Sequence, residues 1–323
     1  MSKPFDIVDV DTLYRGVKDL KNFQLDRLYS TNHLTLDPLY KVYLGSCTDI
    51  TGYPYSGKTL FLKDMLISLS KNHRLRNLIY LPDSGSNFEV GADLIHAVSG
   101  KTTQDGYPNT ITPTELKYWF DWIIQHFIFI RPTSGKVKPI DFWKEACSMD
   151  VHTVSIDSWN YMDVDRDTKT LGDTISTRNI IAEQSGKHLF TIIHPRNPQG
   201  IDYDKEGKLK PPTAFNLMGG SEWNNNGKSI IVVHKESKES PNYDIYIRKT
   251  KPRIVGSSGF VTLQHDMVRQ QFYTMPGDNR KIYAYEQQEP EQQSSIKPNK
   301  SFYGGKEDLI DDSIFDEPTD LPF

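Results

Sequence analysis

Apolar positions fall into short blocks along this chain, and the blocks alternate between two periods. Residues 43–51, 77–81, 127–130, 151–156 and 188–193 read as strands, several of them runs apolar enough to be buried on both faces. Between the first two, Leu60, Phe61, Met65, Leu66 and Leu69 recur at helical spacing. Residues 114–126 predict a second helix, with Thr112 as cap and Pro113 at its first position. Further helices are expected at 141–149 and 174–182. This alternation, over 41–286, predicts an α/β domain in which helices flank a mostly parallel sheet. Four later strands, at 229–234, 243–249, 259–264 and 271–275, follow one another closely and predict antiparallel hairpins at one edge. Residues 1–40 are polar with scattered Leu13, Val17, Leu20 and Leu28, and read as a helical or irregular lead-in or linker. Residues 287–323 turn to Gln, Glu, Ser, Pro, Lys and Asp, a composition that predicts a disordered acidic tail.

Composition narrows the class. Of 323 residues, 37% are hydrophobic and 25% charged, which suits a globular core carrying a polar excess. The net charge of −4 leaves nucleic-acid contact to local basic patches. Two cysteines, Cys47 and Cys147, exclude a CxxC zinc site and argue against a disulfide scaffold, so a reducing compartment is expected. No apolar run reaches membrane-spanning length and the first residues lack a signal-peptide core, so the expectation is a soluble, cytoplasmic protein without a membrane partner.

The strongest chemical signal is Gly52-Tyr53-Pro54-Tyr55-Ser56-Gly57-Lys58-Thr59, which reads G-x-x-x-x-G-K-T between a strand and a helix. Glycines allow the backbone to approach a phosphate, and the turn aims successive N–H groups inward at the helix N-terminus. Lys58 is expected to reach the β- and γ-phosphates of ATP, and Thr59 to bind Mg²⁺. Asp157, at the end of the 151–156 strand, is the candidate second metal residue. His194 ends another strand, where ligands gather in α/β sheets, and could sense a phosphate.

Four segments carry a resemblance. They are the 52–59 loop, Ile156-Asp157-Ser158-Trp159-Asn160, Ile192-Ile193-His194-Pro195-Arg196, and Met218-Gly219-Gly220-Ser221-Glu222-Trp223 followed by a basic strand end at 245–259. In order and spacing they resemble the RecA-like ATPase domain of DnaB/Twinkle-class replicative helicases, especially phage and prophage relatives, across roughly 45–275. The resemblance implies an ATP- and Mg²⁺-dependent DNA helicase acting on single-stranded DNA as a homo-oligomeric ring, hexameric in size, with nucleotide sites between subunits. It implies a water-activating carboxylate after the second strand, where Asp83 stands in place of the usual Glu and Glu89 is a second candidate. It also implies a cation donated in trans, from Lys249 and Lys251 or from Lys251 and Arg253, with Lys251 common to both registers. Two loops, 162–173 and 197–216, face the ring channel in relatives, which makes Lys169, Lys208 and Lys210 candidate DNA contacts. The final Asp320, Leu321, Pro322 and Phe323 resemble the tip of bacterial single-stranded DNA-binding proteins, which implies docking to a replication partner. A filament-forming recombination ATPase and a nucleotide-binding adaptor remain alternatives.

Overall fold

The computed structural model describes residues 9–285, apart from 134, 165, 166, 238, 278 and 279. The tail expected at 287–323, with its Asp320 to Phe323 tip, lies outside the described residues. Helix α1 (Val10–Leu25) leads into β1 (Leu28–Tyr29), which pairs antiparallel with β2 (Val42–Tyr43). One large sheet then contains β3 (Cys47–Thr51), β4 (Asn77–Tyr80), β5 (Phe127–Phe129), β6 (Thr153–Asp157), β7 (His188–Ile193), β8 (Ser229–His234), β9 (Asn242–Lys249), β10 (Gly259–Asp266), β11 (Gln271–Thr274) and β12 (Ile282–Tyr283). Its order is β12-β11-β10-β9-β8-β3-β7-β6-β4-β5. From β8 to β5 neighbouring strands are parallel, and from β8 to β12 they are antiparallel, as the close spacing of the last strands predicts.

Burial explains the two halves. Strands β3, β6, β7 and β8 are buried at every position, because helices cover both faces. One core is built by α2 (Lys58–His73), α3 (Asn87–Ser99) and α4 (Pro113–His126), through Phe61, Met65, Leu94 and Ile123 against Ile50, Ile192 and Val233. The opposite core is built by α5 (Pro139–Ser148), α6 (Thr168–Ser185) and α7 (Gly220–Asn226), through Trp143, Ile175 and Trp223 against Val154, Ile156 and Leu189. Strand β9 instead alternates buried with partly exposed residues along most of its length.

Several boundaries differ from expectation for local reasons. The 43–51 strand is interrupted at Gly45, whose φ of +92° leaves extended geometry. Helix α3 was not anticipated, although Ser86 and Glu89 form a complete capping box before it and Gly100 ends it at positive φ. Helix α6 begins at Thr168, capped by Asp167, so it takes up part of the loop expected at 162–173. The packed body also reaches N-terminally past residue 41. Thr31, His33 and Leu36 are buried, His33 Nε2 lies 2.7 Å from Asp64 Oδ2 on α2, and Ser68 Oγ donates to the Thr31 carbonyl at 2.7 Å. Among the described residues no helix is long and apolar enough to cross a membrane.

Candidate nucleotide site

The carboxyl ends of β3, β7, β6 and β4 lie at one edge of the sheet, so the segments that follow them meet there. The loop after β3 runs from Gly52 to Thr59 and delivers α2. Its glycines are required by space. A side chain at Gly52 would meet the Val233 carbonyl at 2.2 Å, and one at Gly57, which has φ +86°, would meet the Tyr243 ring at 2.4 Å. Tyr53 and Ser56 are buried, while Pro54 and Tyr55 form the exposed crest, with Tyr55 at φ +67°. Gly57 is the N-cap of α2 and supplies no side-chain cap, so the first backbone N–H groups have no partner from that residue.

Lys58 is buried, and its amine donates to the Tyr53 carbonyl at 3.1 Å. Burial pushes its pKa down to about 8, against the pull of Asp157 and Asp83. The Thr59 hydroxyl donates to Asp157 Oδ2. Asp157 Oδ1 is buried without a hydrogen-bond partner, and burial raises the pKa of this carboxyl. A hydroxyl beside a carboxylate with a spare buried oxygen is a hard-oxygen donor set, which fits Mg²⁺.

Asp83 sits on a short turn, Pro82–Ser84, after β4, and His194 directly follows β7. His194 Nε2 lies 3.3 Å from Asp83 Oδ2, and one ligand atom from each of Asp83, Asp157 and His194 falls within 4.8 Å of the others. Burial, then Lys58, lowers the His194 pKa, which favours a neutral imidazole at pH 7. Tyr161 donates to Asp83 Oδ1 at 3.1 Å, a contact with no signal in the sequence. Glu89 is not brought to this cluster. Its carboxylate accepts from the backbone N–H and hydroxyl of Ser86, at 2.6 and 2.9 Å, as the cap of α3.

The basic cluster lies elsewhere. Strand β9 runs antiparallel to β8, so its end at Lys249 sits beside the start of β8, at the sheet edge opposite the phosphate loop. The Ser46 hydroxyl, just before β3, donates to the Lys251 carbonyl at 3.4 Å, and Lys251 and Arg253 are exposed there. Five residues of β3 separate that edge from the loop, roughly 16 Å at the usual rise. Lys249 is tied by its amine to the Asn224 and Asn225 carbonyls.

The expected DNA lysines have uneven surroundings. Lys169 lies exposed in the first turn of α6. Lys208 pairs with Glu236 at 2.6 Å and Glu206 at 3.7 Å, and the Lys210 amine donates to the Ile201 carbonyl at 3.1 Å. The 197–216 segment is organised by the Asp202 carboxylate, which accepts from Arg196, Asn216 and the Gln199 backbone. A cavity of about 370 Å³ between the starts of α5 and α6, lined by Lys138, Asp141, Trp159 and Thr170, contains none of the predicted nucleotide residues.

A second charged pair was invisible in the sequence. Arg178 on α6 donates to both oxygens of Asp49 on β3, at 2.5 and 3.1 Å, and to Thr191 Oγ1 at 3.1 Å. Both partners are fully buried, and the guanidinium lies between the Trp143 and Trp223 rings. It ties the strand that delivers the phosphate loop to the helix that follows Asp157.

No family model matches the chain. A Twinkle homolog protein, chloroplastic/mitochondrial, of Arabidopsis thaliana is 21% identical over 254 residues, covering 73% of this chain. The chain spans about a third of that relative, 35% of its length. Among solved structures, an isolated ATPase domain superposes with a TM-score of 0.67 at 14% identity, over 84% of this chain and all of that one. A DnaB-like replicative helicase, from a structure titled for its interactions with primase, superposes with a TM-score of 0.62 at 14% identity, over 83% of this chain and 67% of its own. The fold is therefore the RecA-like fold of DnaB-like helicase domains, and the sequence resemblance to the DnaB/Twinkle class stands.

Proposed function

We propose that this chain is an ATP-hydrolysing motor of the DnaB/Twinkle class that moves on single-stranded DNA as a homo-oligomeric ring, hexameric as in the class it resembles. One observation carries the reading. The phosphate loop gathers with Asp157, Asp83 and His194 at one edge of the sheet, while Lys251 and Arg253 are exposed at the other. A head-to-tail contact between two copies is the arrangement that brings the two edges together, and repeated contacts of that kind close into rings.

In this reading Lys58 and the loop amides hold the β- and γ-phosphates. Thr59 and Asp157 would hold Mg²⁺, which would offset the charge of the phosphates. Asp83 orients the attacking water and accepts its proton. A neutral His194 donates one hydrogen bond toward the γ-phosphate. Lys251 or Arg253 of the neighbouring copy stabilises the charge that develops on the transferred group. Lys169 is the lysine with the freest surroundings for DNA. The two thiols, Cys47 and Cys147, are free, which suits the cytoplasm.

The test is hydrolysis by purified protein with and without single-stranded DNA, followed by subunit mixing. Lys58→Ala and Lys251→Ala are each expected to be inactive alone. Mixed, they form some interfaces with both functional halves and recover part of the activity. Absence of DNA-stimulated hydrolysis would favour an adaptor, and open helices in electron micrographs would favour a recombination ATPase.

A further inference from the structure

The turn after β6 is fixed at both ends and carries Tyr161 to the surface between them. Trp159 is buried, stacked on Trp143 at 5.9 Å between ring centres and edge-on to Trp223 at 5.2 Å. Met162 is buried as well. Between them the backbone closes a short turn, with the Tyr161 N–H on the Ser158 carbonyl at 3.0 Å and the Met162 N–H on the Trp159 carbonyl at 3.0 Å. Lys136 adds a bond to the Asn160 carbonyl at 2.8 Å. Asn160 and Tyr161 leave the core, and Tyr161, 39% exposed, reaches Asp83 with its hydroxyl.

Asp83 has the opposite character. Its turn, Pro82–Ser84, contains no buried residue, and Gly85 follows at φ +94°. Packing therefore does little to fix the carboxylate. Its orientation depends on side-chain partners, Tyr161 at Oδ1 and His194 at Oδ2. A nucleotide that engages His194 would leave Tyr161 as the remaining holder.

We propose that Tyr161 is a positioning residue for Asp83: its hydroxyl holds Oδ1 so that Oδ2 stays turned toward His194 and Asp157. The inference rests on reading Asp83 as the water-orienting group. Tyr161 thereby links the segment that follows the metal carboxylate to the group that handles the water. It acts on the chemical step and leaves nucleotide affinity alone. A carboxylate oxygen only accepts, so the Tyr161 hydroxyl is the donor in this contact.

The experiment is a double-mutant cycle in full-length protein. Tyr161→Phe removes the hydroxyl from an exposed ring and is expected to lower kcat about tenfold, the lower end for loss of a residue that orients a reacting group. KM, binding of a non-hydrolysable ATP analogue and thermal stability stay as in wild type. In an Asp83→Asn background the same change is expected to alter kcat by less than about twofold, because the carboxylate it holds is gone. Additive effects, or a fall in analogue binding with kcat preserved, would overturn the positioning role while leaving hydrolysis by the wild type intact. A wild type that does not hydrolyse ATP would instead overturn the functional reading, and this inference with it.

Discussion

Replacing Lys58 with Met removes a charge that folding has to strip of water. Its pKa falls from the usual 10.5 to about 8, a difference equivalent to about 3 kcal/mol of penalty on the charged form. The Tyr53 hydrogen bond offsets part of this, roughly 1 kcal/mol. The methionine keeps the stem that packs into the loop. Lys58→Met should therefore stabilise the protein without nucleotide by about 2 kcal/mol, or roughly 4–8 °C in Tm for a domain of this size. The pH dependence checks the cause. Because the folded-state pKa is the lower one, the unfolded chain binds more protons between about 8 and 10.5, and wild-type stability rises across that window. The gap between variant and wild type is full below pH 8 and closes toward pH 10.5. With Mg-ATP the order reverses, since phosphate stabilises the charged lysine and binding raises the wild-type Tm alone. Denaturant melts of both proteins at pH 7 and pH 10, with and without Mg-ATP, measure all of this. A variant less stable than wild type at pH 7, or a gap that does not change with pH, would refute the reasoning.

Other outcomes follow from particular contacts. Asp83→Asn should slow hydrolysis by two or more powers of ten, the usual worth of a positioned general base, with analogue binding nearly intact. Glu89→Gln should leave both hydrolysis and Tm close to wild type, since glutamine can complete the same capping box with Ser86. Arg178→Met should destabilise the fold by about 3–5 kcal/mol in denaturant melts, because it strands a fully buried Asp49. Adding Asp49→Leu to Arg178→Met should recover much of that loss.

How much of this was legible in the sequence depends on range. Thr112 and Pro113 start α4 where expected, because capping is settled by neighbouring residues. The capping box of α3 was equally local: Ser86 and Glu89 stand three apart, and reading them would have removed Glu89 from the catalytic candidates. Lys58, Thr59, Asp157, Asp83 and His194 could be named because each stands just after or within a motif at a strand end, and a parallel sheet gathers such ends. Tyr161 and Arg178 carry no such mark. Arg178 is separated from Asp49 by 129 positions, and its partner became visible only when β3 and α6 were packed together. The Lys208 ion pairs are also tertiary, since Glu236 belongs to another segment.

The charges at the nucleotide site share one physical logic. Lys58 is pressed toward neutrality by burial, Asp157 toward protonation, and His194 away from protonation. Each shift records a polar group that the fold has desolvated without fully satisfying, and Asp157 Oδ1 has no partner at all. In the proposed reading a Mg-nucleotide would supply what is missing: anionic oxygens for Lys58 and a cation for Asp157. Binding energy and site polarity are thus two sides of one arrangement, and the gain comes from groups already held in place. Lys251 and Arg253 stand roughly 16 Å from the loop of their own chain, across β3, so in the proposed reading they serve the loop of a neighbour. In the proposed ring, nucleotide binding would be a property of one chain and fast hydrolysis a property of two. Dilution below the assembly concentration should then abolish turnover while leaving the Mg-ATP stabilisation of the single chain in place.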